Sequence, residues 1–200
     1  GLVVVIANEY EGFLPGTTRD ANAIADKLEA DGFSAIRLLN KAGGDIATGL
    51  GQVRAAALSA GPIRIVYVSG FGMCLNDDLV LFAEDMQPEQ FQSGQFGNVA
   101  IPLSSLAEAV SKGSGQVLVV FDVDPNQCSW DGLNAITFAP NSALLVTTGI
   151  GGDIDGEVGE EGMNAFTTAF LQEFAPDIAL SDIVANVVEQ IRLLTNERQV

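Results

Sequence analysis

This 200-residue chain contains no histidine, two cysteines, and nine lysines and arginines against 26 aspartates and glutamates. Each scarcity excludes something. Without histidine, no imidazole anywhere in the chain can act as a base. A formal charge of −17 repels nucleic acid and anionic membrane and favours basic partners. Cys74 and Cys128 are too few for a disulfide framework and are not spaced CxxC. They therefore read as small half-buried thiols of a reducing compartment, with a cytoplasmic location and no zinc site. Long apolar runs are also missing: LVVVIA, IRIVYV and VLVVF are strand-length, so no membrane span is expected. The first residues enter a strand with no basic, apolar and small-residue sequence before it, so no signal peptide is expected.

The chain is rich in apolar residues, at 48%, enough for one compact domain over residues 1–200. Five short apolar segments alternate with amphipathic ones, which argues for an α/β fold with a mostly parallel sheet covered by helices on both faces. The expected strands are 2–8, 34–40, 63–69, 117–122 and 142–148. In the first expected helix, Ala21, Ile24, Ala25 and Leu28 recur at helical spacing, with Thr17 or Thr18 as N-cap and Gly32 as the stop. Residues 45–59, 103–111, 163–174 and 180–195 follow the same pattern. The Gln-, Gly- and Phe-rich stretch from Asp85 to Val99 reads as a loop or small hairpin between the third and fourth strands.

In such sheets the functional crevice lies at the carboxyl ends of the strands. Those ends carry Asn8, the run Ser69-Gly70-Phe71-Gly72, the run Asp122-Val123-Asp124, and Thr147-Thr148-Gly149. Asp20, at the start of the first helix, is expected to face the same rim. Asp122 and Asp124 are two apart on an extended segment and so share a face, where two carboxylates can share a proton. Pro125 is expected to turn the chain just beyond them.

Several stretches, taken in order, resemble the caspase-like peptidases, in particular the prokaryotic metacaspase (orthocaspase) branch. They are VVVIANEYEGFLPGTTRDANAIADKLEADGF, VYVSGFG, IPLSSLAEAV, VLVVFDVDPN, SALLVTTG, NAFTTAFLQEF and TNERQV. The resemblance covers essentially the whole chain and implies a caspase-like sandwich with five or six strands. In that family VYVSGFG corresponds to an S-G-H-G motif carrying the general base, and FDVD to a D-x-C motif carrying the nucleophile. Here those positions hold Phe71 and Asp124. The resemblance therefore implies a pseudoenzyme, a non-catalytic binding or regulatory module that has lost its dyad. Cys74 and Cys128 lie close to the two positions, but an acidic surrounding raises a thiol pKa and does not favour the thiolate. The family builds an acidic pocket for Arg or Lys from an aspartate in the N/D-A helix and the aspartate of D-x-C. These map to Asp20 and Asp122, and Asp124 adds a third carboxylate. The alternative for Asp20 is a cap, or a simple pair with Arg19.

The implied partner is a protein or peptide with basic side chains, or another domain of the same protein. No Lys or Arg stands between Lys112 and Arg192 to compete for those carboxylates. The other classes left open are a hydrolase using Asp or Cys groups at an unrecognised site, and a purely structural interaction module. No cofactor is expected. The run TTGIGGDIDGEVGEEGMN lacks the lysine of a phosphate loop, and its DxDGxxxEE offers oxygen ligands to calcium without EF-hand spacing. In some family members calcium acts elsewhere, and LNDDLVLFAED matches that region only loosely. Phe91, Phe96 and Trp130 are candidates for a contact surface.

Overall fold

A computed structural model describes residues 1–75, 78–112, 114–126, 142–146 and 162–195. The elements are β1 (Leu2–Ala7), α1 (Thr17–Ala30), β2 (Ser34–Leu39), α2 (Gly43–Ser59), β3 (Ile63–Leu75), β4 (Asp78–Phe82), α3 (Pro88–Ser93), a 3₁₀ turn (Gly97–Val99), β5 (Ala100–Pro102), α4 (Leu103–Val110), β6 (Gln116–Asn126), β7 (Ser142–Val146), α5 (Ala165–Glu173) and α6 (Leu180–Leu194). All five expected strands form, and β2-β1-β3-β6-β7 pair in parallel.

The apolar runs are continuous because both faces of the sheet are covered. All six residues of β1 are buried. Val4 and Ile6 pack with Val66, Val119, Ile46 and Val53 in one layer, under α2 and α4. Val3 and Val5 pack with Ile65, Val120, Ile24, Phe170 and Ile183 in the other, under α1, α5 and α6. Fully burying each such side chain contributes about 1.5–3 kcal/mol before conformational entropy is counted. Helix α1 ends as its Gly32 suggests: Gly32 has φ +86, its N–H donates to the Glu29 carbonyl, and Phe33 N–H donates to the Leu28 carbonyl. Its start differs from expectation. The N-cap is Gly16, with φ 101, and Thr17 is the first helical residue. The Thr17 hydroxyl donates instead to the Asn8 carbonyl at 3.0 Å, tying the helix to the end of β1.

Two further differences concern the middle of the chain. Residues 85–99 form neither a hairpin nor a plain loop but contain α3 and the 3₁₀ turn, and the hairpin lies earlier, between β3 and β4. Pro125 does not turn the chain, since β6 continues to Asn126 in register with Met73 of β3. The unexpected length of β3 shapes the rim. Up to Ser69 it pairs with β1, and from Gly72 to Leu75 its neighbour on that side is β4. The ends of β1 and β4 therefore meet at one carbonyl, that of Phe82, which accepts from Asn8 Nδ2 at 3.0 Å and from the Tyr10 hydroxyl at 2.6 Å. Phe96, read as a surface aromatic, is buried and packs on Phe82 with centroids 5.0 Å apart. Its apolar ring closes the core beside β4, which composition alone does not reveal. Trp130 and the Phe91 side chain lie outside the described residues.

Candidate functional site

Asp122 lies on β6 opposite Ser69 of β3, just past the apolar part of both strands. Alternation along β6 directs it to the same face as Leu118 and Val120, toward α1 and α5. Tyr67, fully buried two residues before Ser69, reaches it from the neighbouring strand and donates its hydroxyl to Asp122 Oδ2 at 2.6 Å. Burial, and then the Asp122 charge, raise the Tyr67 pKa well above its usual value, so the phenol stays protonated and remains a donor.

Asn164 joins this pair to α1. Its Nδ2 donates to Asp122 Oδ2 at 2.6 Å, while its backbone N–H donates to Asp20 Oδ2 at 3.1 Å. Its Oδ1 accepts from Thr167 N–H at 2.7 Å, the N-cap bond of α5. One residue thus starts a helix and bonds both carboxylates. Asp20 is 3% exposed, and burial pushes its pKa up to about 6. The Asn164 N–H and the Arg19 charge oppose that rise, and Asp122 adds to it. Arg19 Nε stands 3.5 Å from Asp20 Oδ1, and Arg19 Nη2 donates to the Gly162 carbonyl.

The structure brings Asp20 and Asp122 together through Asn164, and Asp20 also pairs with Arg19. Neither Tyr67 nor Asn164 stood out in the sequence as a site residue. A buried tyrosine must place its hydroxyl against a partner, and an asparagine ahead of the FTTAF helix is a cap, which are the two signals available. For Asp124 the backbone alone is described, opposite Phe71 in the β3–β6 register.

Phe71 departs from simple alternation. Ile65 and Tyr67 face the α1 layer, yet Phe71 packs against the layer under α2 and meets the Tyr10 ring at a tilt of 37°, with centroids 4.6 Å apart. Gly70, with φ +153, makes the change of face. A Cβ there would lie 2.7 Å from the Tyr10 hydroxyl oxygen. Phe71 N–H donates to that hydroxyl at 2.9 Å, and the hydroxyl donates onward to Phe82. Tyr10 and Glu11 have positive φ, and the Glu84 carboxylate accepts both of their N–H groups at 3.0 Å. Asn8, at the same rim, is buried and structural: its Oδ1 accepts from Lys41 N–H at 3.1 Å.

The cysteine expectation requires correction. Cys74 is disulfide-bonded and so is neither a free thiol nor a nucleophile. Cys128, the chain's other cysteine, and the segment DxDGxxxEE lie outside the described residues. Among the described residues, no three His, Cys, Asp or Glu side chains come together in a way that would hold a metal ion. No described helix is long and apolar enough to cross a membrane.

This architecture matches a solved structure, the Drosophila initiator caspase Dronc, with a TM-score of 0.59 over 95% of this chain and 71% of that one. The chain has the caspase fold. Sequence identity over the match is 12%, so the likeness shows the fold alone. No family model and no curated protein matches the sequence. Asp122, Phe71 and Asp124 sit at the carboxyl ends of two adjacent strands, β3 and β6, and Asp20 comes to Asp122 from the first turn of α1.

Proposed function

We propose that this caspase-fold domain is a non-catalytic pseudoenzyme of the metacaspase branch, a binding or regulatory module whose acidic cluster holds the Arg or Lys side chain of a partner. The observation that carries the reading is Asn164, which bonds Asp20 and Asp122 at once and holds the two carboxylates together. Two adjacent carboxylates repel, and a guanidinium that contacts both relieves the repulsion while forming charge-assisted bonds. The partner is a basic peptide or protein, or a basic segment of another domain of the same polypeptide. No cofactor is required. Phe71 and Asp124 stand where the resembled family has base and nucleophile, the sequence has no histidine, and Cys74 is tied in a disulfide, all of which support a module that binds without cutting.

One observation favours a second reading, a hydrolase with an unrecognised site. A carboxyl with its pKa raised to about 6, next to a second carboxylate, suits proton transfer near neutral pH. A module that is structural only remains the third class. Calorimetric titration with an Arg-containing peptide and its citrulline counterpart, together with a cleavage assay of the same peptides, separates the three. Preferential binding of the Arg peptide, lost in Asp122→Asn and without cleavage, supports the binding module. Cleavage lost in Asp20→Asn supports the hydrolase, and equal behaviour of both peptides leaves the structural class.

A further inference from the structure

Two clasps join the first turn of α1 to the segment that enters α5. Asn164 N–H bonds Asp20 Oδ2, and Arg19 bonds the Gly162 carbonyl while its Nε faces Asp20 Oδ1. The two oxygens of Asp20 are thus divided: one is fixed by the buried backbone N–H, and the other faces the chain's own guanidinium. A cation arriving at Asp20 must take the oxygen that Arg19 faces. Gly16 makes room for this arrangement. A Cβ at that position would lie 2.7 Å from Arg19 Nη2, so the guanidinium folds back over a glycine that is also the left-handed N-cap.

We propose that Arg19 is an intramolecular latch on Asp20, occupying the position of the partner's basic side chain at that carboxylate and swinging out when that side chain enters. This rests on the reading of the pair as a cation site and adds its regulation. The contact with Asp20 suits a latch. The Arg19 side chain is 40% exposed, its Nε stands at the long end of hydrogen-bond distance, 3.5 Å from Asp20 Oδ1, and ion pairs of such exposure hold weakly. By contrast the Asp20 side chain is 5% exposed and stays in place. Displacement exchanges one guanidinium for another at the same oxygen, so the site does not have to hold an uncompensated buried charge while it waits for a partner.

The test uses the whole chain with a fluorescent Arg-containing peptide and its citrulline counterpart. Arg19→Gln removes the charge but keeps an amide able to donate to the Gly162 carbonyl. It is expected to bind the Arg peptide about three- to tenfold tighter than wild type, with citrulline binding unchanged. In the wild-type protein, which avoids any folding defect of the variant, the Arg19 Nε–H resonance is expected to shift as the Arg peptide is added. If wild type binds the Arg peptide in an Asp122-dependent way but Arg19→Gln binds no tighter and the Nε–H resonance stays fixed, the latch is wrong and the cation site stands. If neither protein distinguishes Arg from citrulline, the cation site falls and the latch with it.

Discussion

Tyr67 donates its hydroxyl to Asp122 Oδ2 at 2.6 Å across the pair of strands that bring Phe71 opposite Asp124. The bond joins a fully buried ring to a charged acceptor, and bonds to charged groups contribute roughly 1.5–3 kcal/mol. Tyr67→Phe is therefore expected to lower unfolding stability in urea by that amount, and to weaken any Arg-peptide binding by loosening Asp122. Unchanged stability would mean that the Tyr67 hydroxyl does not help to hold Asp122.

The pH dependence has an unusual sign. The Asp20 carboxyl, whose ordinary pKa is 3.8, titrates at about 6 in the folded chain, so between those values the folded state holds more protons than the unfolded state. Stability from this group is complete below about 4 and is lost as pH rises through 6, by on the order of 3 kcal/mol in all. Asp20→Asn is accordingly expected to be more stable than wild type at pH 8 and to lose that advantage at pH 4, as thermal melts at the two pH values would reveal. Cation binding runs the opposite way, because it needs the carboxylate, and it should strengthen as pH rises through 6. A melt difference that is the same at both pH values would show that Asp20 is not held protonated by burial.

The strands and most helices were legible in the sequence because burial on both faces leaves uninterrupted apolar runs, and a buried helix face leaves spacings such as Ala21, Ile24, Ala25 and Leu28. The aspartates were legible through motif resemblance. What holds them was not: Asn164 is 144 residues from Asp20 and 42 from Asp122, and no local pattern announces so distant a bond. The turn of Phe71 onto Tyr10 was hidden for a related reason. It depends on the φ of one glycine and on β4 replacing β1 beside β3, both consequences of tertiary pairing.

Phe71 gives a direct test of the proposed pseudoenzyme reading. Its ring packs on Tyr10 in a tilted pair, and such aromatic pairs add about 0.5–1.5 kcal/mol beyond area burial. Phe71→His is expected to be neutral or destabilising in a thermal melt and to confer no peptidase activity, since the backbone at Gly70 directs the side chain toward Tyr10. A clear rise in melting temperature, or cleavage of an Arg peptide by that variant, would contradict this placement.

The disulfide at Cys74 bears on the stability of the rim. Two cysteines alone suggested free thiols in a reducing compartment, where cytosolic thiols are normally kept reduced, and a bonded Cys74 departs from the first part of that reading. Cys74 also sits in the β3–β4 hairpin, opposite Leu79 and packed against the layer that contains Tyr10, Leu79 and Leu81. A cross-link there restrains the unfolded chain and braces the rim near Phe71, with a typical contribution of about 2–4 kcal/mol. Protein purified without reductant and then denatured is expected to show no titratable thiol. Adding reductant, or substituting Cys74→Ser, should lower the melting temperature while the parallel sheet still forms, as circular dichroism would record. Free thiols in protein purified under oxidising conditions would show that Cys74 is not cross-linked in solution and leave the rim without its brace.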